Sequence, residues 1–140
     1  MRIALLLLAA SLLGAGSAAA QNSSPSTIAR SFQGSWKGEG AQADGGEWTI
    51  ALTLADGARG TVVGTITYPS LACGGDLVLR DADRGRVEVL ERITFGDCVD
   101  NGVITFSPDG GGLDFDWRGE GLTARGRLAR ATPPPDASGP

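Results

Sequence analysis

The sequence contains no histidine, a single lysine and only two cysteines among its 140 residues. The absence of histidine removes the usual general base and the commonest metal ligand, so a serine-based catalytic triad has no support. Lys37, the only lysine, falls on the outward phase of its predicted strand. We therefore expect a protein that is not an enzyme, with no catalytic residues, no metal site and no cofactor.

Long hydrophobic runs are also missing, except at the amino terminus. Arg2 precedes an apolar stretch at positions 3–10, and small residues follow it up to Ala20. The stretch is too short for a membrane span, and a small-residue site after it is typical of a cleaved signal peptide. We predict a signal peptide over residues 1–20, cleavage after Ala20, and a periplasmic or secreted protein without a membrane anchor.

Positive charge is scarce in the remainder of the chain. Removal of Arg2 with the signal peptide leaves 11 Lys and Arg against 16 Asp and Glu, a net charge of −5. Such a surface is a poor match for a phosphate backbone, so we expect no nucleic-acid partner. The expected partner is an unidentified small molecule or protein, and the expected state is a monomer.

The two cysteines, Cys73 and Cys98, would be exported together. A disulfide is the default state of such a pair in an oxidising compartment, so we predict a bridge between them.

Both ends of the exported chain differ in composition from its centre. Residues 21–33 are largely polar, and residues 131–140 are rich in proline. We predict a flexible amino-terminal segment over 21–33, one folded domain over 34–130 and a disordered tail over 131–140.

The central domain alternates apolar and polar residues over short stretches that are separated by Gly, Asp and Asn. This pattern indicates an all-β fold. The predicted strands are Ser35–Glu39, Glu47–Leu54, Thr61–Tyr68, Asp76–Arg80, Arg86–Phe95, Gly102–Ser107, Leu113–Arg118 and Thr123–Arg130. Turn-sized connections between eight strands favour an antiparallel up-and-down barrel, with a two-sheet sandwich as the alternative.

Strand parity assigns an inward face to each predicted strand. The residues on this face are Trp36, Trp48, Ile50, Leu52, Leu54, Val62, Ile66, Tyr68, Leu77, Leu79, Val87, Val89, Ile93, Phe95, Ile104, Phe106, Leu113, Phe115, Trp117, Leu122, Ala124 and Leu128. If strands alternate in direction, Cys73 and Cys98 fall at the same end of the barrel, together with the longer loops. We expect this end to be open.

The first strand carries the motif Gly34-Ser35-Trp36. It is similar to the G-x-W motif of lipocalins and avidins, eight-stranded barrels in which the tryptophan packs near a basic residue from the last strand. The resemblance implies that Arg130 stacks on Trp36 as a structural pair.

A second resemblance covers nearly the whole exported chain. Residues 68–77 (YPSLACGGDL) and 91–96 (ERITFG), followed by Cys98, together with the G-x-W motif and strand 113–117, resemble an uncharacterised extracytoplasmic module of bacteria. This module occurs alone after a signal peptide or fused to receptor-type serine/threonine kinases and caspase-like proteins. The resemblance implies sensing or binding and supplies no catalytic residue.

Glu91 interrupts the apolar pattern, because it lies on the inward phase of its strand between Val89 and Ile93. A buried carboxylate needs a partner. Glu91 could accept hydrogen bonds from loop amides or Tyr68, or pair with an arginine, and so have a purely structural role. A β-bulge near Leu90 would instead turn it to solvent.

The functional interpretation of Glu91 is a polar patch at the open end, formed by Tyr68, Glu91 and loop 69–75 together with Ser70 and Asp97, that recognises a small polar or cationic ligand. The resulting hypothesis is an exported, non-catalytic binding or sensing barrel. The alternatives are a peptidase inhibitor that inserts residues 21–33 into a protease, a purely structural interaction domain with a filled interior, and a glycosidase that pairs Glu91 with Asp97 or Asp100.

Overall fold

The computed structural model describes residues 28–131 together with Gly16. The predicted signal peptide, the cleavage after Ala20 and the tail beyond residue 131 lie outside this range. Eight strands follow one another along the chain: β1 (Gly34–Gln42), β2 (Glu47–Leu54), β3 (Val62–Tyr68), β4 (Cys73–Ala82), β5 (Val87–Phe95), β6 (Val103–Asp109), β7 (Gly112–Gly119) and β8 (Leu122–Arg130). Two 3-10 turns, Arg30–Phe32 and Pro69–Leu71, complete the described segments, which contain no helix long enough to cross a membrane.

Each strand pairs with the next one in sequence, and β8 pairs back onto β1. All the pairs are antiparallel, so the sheet closes into an eight-stranded barrel. The closure register runs from Trp36 opposite Arg130 to Gln42 opposite Ala124. This architecture confirms the predicted all-β up-and-down barrel and excludes the sandwich. Closure gives each of the eight described strands a hydrogen-bonded neighbour on both sides.

Alternation of side chains along the strands fills the interior. The large side chains of the core include Trp36, Ile50, Leu52, Ile66, Leu77, Leu79, Val87, Val89, Ile104, Phe106, Leu113, Phe115 and Leu128. All of these belong to the predicted inward face. Parity therefore predicted most of the core correctly.

Three residues of the predicted inward face are exposed: Val62 (57%), Phe95 (51%) and Leu122 (46%). In β3 the pairing register shifts between Val62 and Gly64, which places Val63 in the core instead of Val62. In β5 the register with β4 shifts just before Phe95. A one-residue shift turns the following side chains to the opposite face.

Residues 28–33 pack across one end of the barrel, which we name the closed end. Ile28 and Phe32 are 2% and 0% exposed and join the core. The Trp36 Nε1 donates to the Phe32 carbonyl at 2.9 Å. The folded domain therefore includes Ile28, and the prediction that the flexible segment extends to residue 33 is wrong for this part, since its two large apolar residues have a core to enter.

The Arg130 guanidinium holds the same segment in place. It lies 4.4 Å from the centre of the Trp36 ring, as the G-x-W resemblance implied. It also donates to the carbonyls of Gln33 (2.8 Å) and Ser31 (3.0 Å). One cation therefore links the last strand, the first strand and the segment before it.

The opposite end, which we name the open end, carries loops 43–46, 69–72, 96–102 and 120–121. The predicted disulfide between Cys73 and Cys98 is present there, with Cα atoms 6.0 Å apart. It joins the start of β4 to loop 96–102.

Candidate functional site

Glu91 lies in the interior of the barrel, near the open end of β5. Its exposed fraction is 1%, and it is the one buried charged residue among those described. The β5–β6 ladder is regular from Val87 to Leu90, and the Glu91 amide donates to the Gly102 carbonyl at 2.8 Å. The alternative with a bulge near Leu90 is therefore wrong, and Glu91 is inward as parity predicted.

Two side chains from other strands donate hydrogen bonds to the Glu91 carboxylate. The Tyr68 hydroxyl, at the end of β3, forms a short bond to Oε2. The Trp117 Nε1, from β7, donates to Oε1 at 3.1 Å. Of the partners considered from the sequence, Tyr68 is present, whereas the described arginines make no ion pair with Glu91. A buried carboxylate is thus held by two neutral donors.

Glycine at two positions allows the Trp117 indole to reach Glu91. A Cβ atom at Gly102 would lie 2.2 Å from the Trp117 Nε1, and a Cβ at Gly119 would lie 2.8 Å from the far edge of the ring. The indole therefore lies directly against the backbone of loop 96–102 and of its own strand. Any larger residue at position 102 would displace the ring.

The surroundings of the Glu91–Tyr68 pair shift the protonation of both groups. Burial raises the pKa of Glu91, the nearby charge of Asp100 raises it further, and the hydrogen bonds from Tyr68 and Trp117 lower it in part. Burial and the Glu91 charge raise the pKa of Tyr68, so the phenol stays a donor. The Glu91 carboxylate is therefore a strong hydrogen-bond acceptor in a site that disfavours its charge. A cation or a further hydrogen-bond donor would stabilise the ionised form.

A cavity of about 550 Å³ opens above this pair at the open end. Glu91 and Tyr68 contribute to it from the floor. The described residues that line it are Gln42, Gly46, Glu47, Trp48, Tyr68, Leu71, Ala72, Glu91, Gly96, Asp97, Cys98, Val99 and Trp117. The volume is within the range of small-molecule sites, and the walls combine aromatic, aliphatic and acidic side chains.

One wall of the cavity belongs to loop 96–102, which is fixed at several points. Gly96 has φ +78°, and a Cβ there would lie 2.5 Å from the Ala72 carbonyl oxygen. The Asp100 carboxylate accepts the amides of Ile93 and Asn101, both at 2.9 Å. Together with the Cys73–Cys98 bridge, these contacts fix the cavity wall in place.

Of the four predicted ligand-binding residues, three line the cavity and one does not. Tyr68 and Glu91 are at the floor, and Asp97 is at the exposed rim. Ser70 is on the outer surface, where it exchanges hydrogen bonds with Thr49 at 3.0 and 3.2 Å. It borders a separate shallow groove instead, because the 3-10 turn at 69–71 points its side chain toward β2.

Sequence reasoning did not include Trp48, Trp117 and Val99 in the site, and it included Leu71 only as a member of loop 69–75. Parity had placed both tryptophans on the inward face, and both are close to the open ends of their strands. Combining parity with strand direction could have identified them. Leu71 and Val99 are in loops, for which parity gives no information.

Trp48 has a further feature. Its Nε1 is buried without a hydrogen-bond partner among the described residues. It lies against Gly40, where a Cβ would be 3.1 Å from this nitrogen. The ring thus closes one side of the barrel interior at the expense of an unsatisfied donor.

Two of the rival hypotheses can be compared with the geometry. The inhibitor alternative uses residues 21–33, but Ile28 and Phe32 are packed in the core and are not free to insert into a protease. The glycosidase alternative uses Asp100 or Asp97 with Glu91, but Asp100 already binds two backbone amides. Within the described range no three potential metal ligands come together.

Comparison with known proteins returns no matching family model, no matching curated protein and no matching solved structure.

Proposed function

We propose that this chain is an exported, non-catalytic binding or sensing module that takes up a small ligand in the cavity at its open end. The observation that carries the proposal is the cavity of about 550 Å³ whose floor is the buried Glu91 carboxylate. A barrel with only a structural role has no need for an open, largely apolar cavity above an incompletely paired buried charge.

The rigidity of the site supports binding. The barrel is closed, and loop 96–102 is fastened by a disulfide, a positive-φ glycine close to β4, and the two bonds to Asp100. A preformed cavity reduces the conformational entropy lost when a ligand binds.

Export is supported by the signal-peptide pattern of residues 1–20 and by the disulfide, which persists in oxidising compartments. We expect the mass of the protein recovered from its producing cell to match a chain that begins at Gln21. A chain recovered in the cytoplasm with residues 1–20 intact would contradict export.

The experiment that tests ligand binding compares three proteins in a ligand-observed NMR screen of small metabolites: the wild type, Val99→Trp and Val62→Trp. Val99 lines the cavity, so a tryptophan there fills the entrance. Val62 is exposed at the closed end, so the same substitution there is a matched control. Both variants are first checked for the folded spectrum of the wild type.

We expect the screen to find compounds that bind to the wild type and to Val62→Trp but do not bind to Val99→Trp. These compounds should also shift the indole N–H signals of Trp48 or Trp117. Binding that survives in Val99→Trp would place the ligand outside the cavity and overturn the proposal. A screen without ligands in the low millimolar range would also overturn it.

A further inference from the structure

The charges and rings of the cavity restrict the class of ligand, provided that the proposed binding function holds. Three charged residues line the cavity, Glu47, Glu91 and Asp97, and all three are acidic. Among the described residues, no lysine or arginine lines the cavity. An anionic ligand would meet uncompensated repulsion there, whereas a cation would gain attraction from every charge in the walls.

The Glu91 carboxylate has unused acceptor capacity. An ionised carboxylate offers about four lone-pair positions. Tyr68 and Trp117 occupy two of them, one on each oxygen. The described arginines form their ion pairs elsewhere, mainly on the outer face of the barrel, so no ion pair in this part of the protein compensates the charge of Glu91.

Aromatic rings surround the same space. Trp48, Tyr68 and Trp117 all line the cavity. Faces of such rings attract cations, and desolvation strengthens the attraction. At the closed end the protein provides its own cation for a ring, since Arg130 stacks on Trp36. At the open end the aromatic rings line the same cavity as the buried Glu91 carboxylate, and the cavity has room for a cation from a ligand.

We propose that the cavity recognises small molecules that carry a protonated primary or secondary amine on an apolar or aromatic body, with the ammonium group bound by Glu91. The apolar body contacts the tryptophan rings, Leu71 and Val99. An N–H-bearing ammonium fits better than a quaternary one, because the free lone pairs of Glu91 require hydrogen-bond donors.

Binding of this kind is linked to a proton. When Glu91 is protonated in the empty site, the incoming ammonium keeps its own protons, and the Glu91 proton leaves to solvent. Affinity then rises with pH until Glu91 is ionised without a ligand. The other titratable groups around the carboxylate are Tyr68, Asp100, Glu47 and Asp97.

The test measures calorimetric binding of matched probes that share one body: phenethylamine, 2-phenylethanol, 3-phenylpropionate and phenethyl-trimethylammonium. We expect the primary amine to bind about tenfold or more tightly than the alcohol and the quaternary ammonium, as a charge-assisted hydrogen bond provides. We expect the carboxylate probe to bind weakest. For the amine we expect proton release and an affinity that increases with pH.

Glu91→Gln should reduce amine affinity about tenfold or more, abolish the pH dependence and leave the affinity of the alcohol nearly unchanged. Gln keeps the shape of the side chain and can bond to both Tyr68 and Trp117. Glu88→Gln, on the outer face of the same strand, is the matched control and should bind like the wild type.

The outcomes separate the two proposals. If the alcohol binds as well as the amine and is lost from Val99→Trp, the amine class is refuted and the binding cavity stands. If the carboxylate probe binds best, or if Glu91→Gln leaves the amine affinity unchanged, the amine class is also refuted. If none of the probes binds in the low millimolar range, the amine proposal is overturned, and the metabolite screen decides the binding function separately.

Discussion

The buried carboxylate of Glu91 makes a specific prediction about how stability depends on pH. Glu91 is 1% exposed and accepts hydrogen bonds from two neutral donors, and residues 28–131 supply no cation that pairs with it. In the native protein burial raises the pKa of its carboxyl above the unfolded value, despite the two bonds. Between these two pKa values the native state binds the extra proton, so native stability falls as pH rises.

The perturbation that isolates this effect is Glu91→Gln, because Gln keeps the shape and hydrogen bonding of the protonated side chain. Below the unfolded pKa of Glu, about 4.3, we expect the free energies of unfolding of the two proteins to differ by about 1 kcal/mol or less. As pH rises, we expect the free energy of unfolding of the variant to increase relative to that of the wild type. The increase should be about 1.4 kcal/mol for every pH unit between the unfolded and native pKa values of Glu91. Above the native pKa the difference becomes constant.

The assay is denaturant unfolding of the oxidised protein, followed by tryptophan fluorescence at a series of pH values from 4 to 8. The carboxylates that do not interact with Glu91 titrate in both proteins and cancel in the difference. The control is Glu88→Gln, which makes the same substitution on the outer face of the same strand. The free energy of unfolding of this variant should not increase with pH relative to that of the wild type. A difference between wild type and Glu91→Gln that is flat in pH, or that favours the wild type at high pH, would refute the account of Glu91.

Three further predictions concern the two ends of the barrel. Reduction of the bridge between Cys73 and Cys98, which are 25 residues apart, should lower the free energy of unfolding by about 3.5 kcal/mol in the chain-entropy model, measured by denaturant titration with and without reductant. Arg130→Met removes a stacking contact and two hydrogen bonds to carbonyls, so it should cost about 1–3 kcal/mol and increase hydrogen exchange in residues 28–33. Gly102→Ala places a Cβ against the Trp117 indole, so it should cost about 1–3 kcal/mol and shift the indole N–H signal.

Arg130→Met and Gly102→Ala each have a control in which the same substitution is made at another position. Arg125→Met removes an exposed ion pair with Asp116 and should change stability by less than about 1 kcal/mol. Gly85→Ala introduces a Cβ with only ordinary contact, so it should leave the Trp117 signal in place. Equal losses in test and control variants would contradict the assigned contacts.

Parity and turn chemistry were sufficient to predict the barrel, because most strands keep one register along their length. They failed where a register shift interrupts the alternation. The Val62-Val63-Gly64 stretch offers two adjacent valines, and pairing rather than hydrophobicity selects Val63 for the core. At Gly64 a Cβ would lie 1.9 Å from the Thr53 carbonyl oxygen, the kind of close backbone approach that a glycine on the inward phase of a strand indicates.

The candidate site was predicted in part for a similar reason. Glu91 and Tyr68 were found because each interrupts or ends an apolar alternation within one strand. The Trp117 bond to Glu91 joins residues 26 apart in sequence and depends on how the barrel closes. Gly102, which admits the ring, enters the sequence prediction as the first residue of a strand. Ser70 was misplaced since a 3-10 turn, which has no alternation, sets its direction.

The positions of residues 28 and 131, the two ends of the described barrel segment, have a consequence for assembly. The segment at 28–33 and the last residues of β8 meet at the closed end, where the Ala131 amide donates to the Ser35 carbonyl at 2.9 Å. Both ends of the described barrel segment therefore lie at the pole opposite the cavity. A domain, a tag or a solid support joined directly to residue 28 or residue 131 would hold the barrel with its entrance directed away from the attachment, so attachment at these two points and ligand access are geometrically independent.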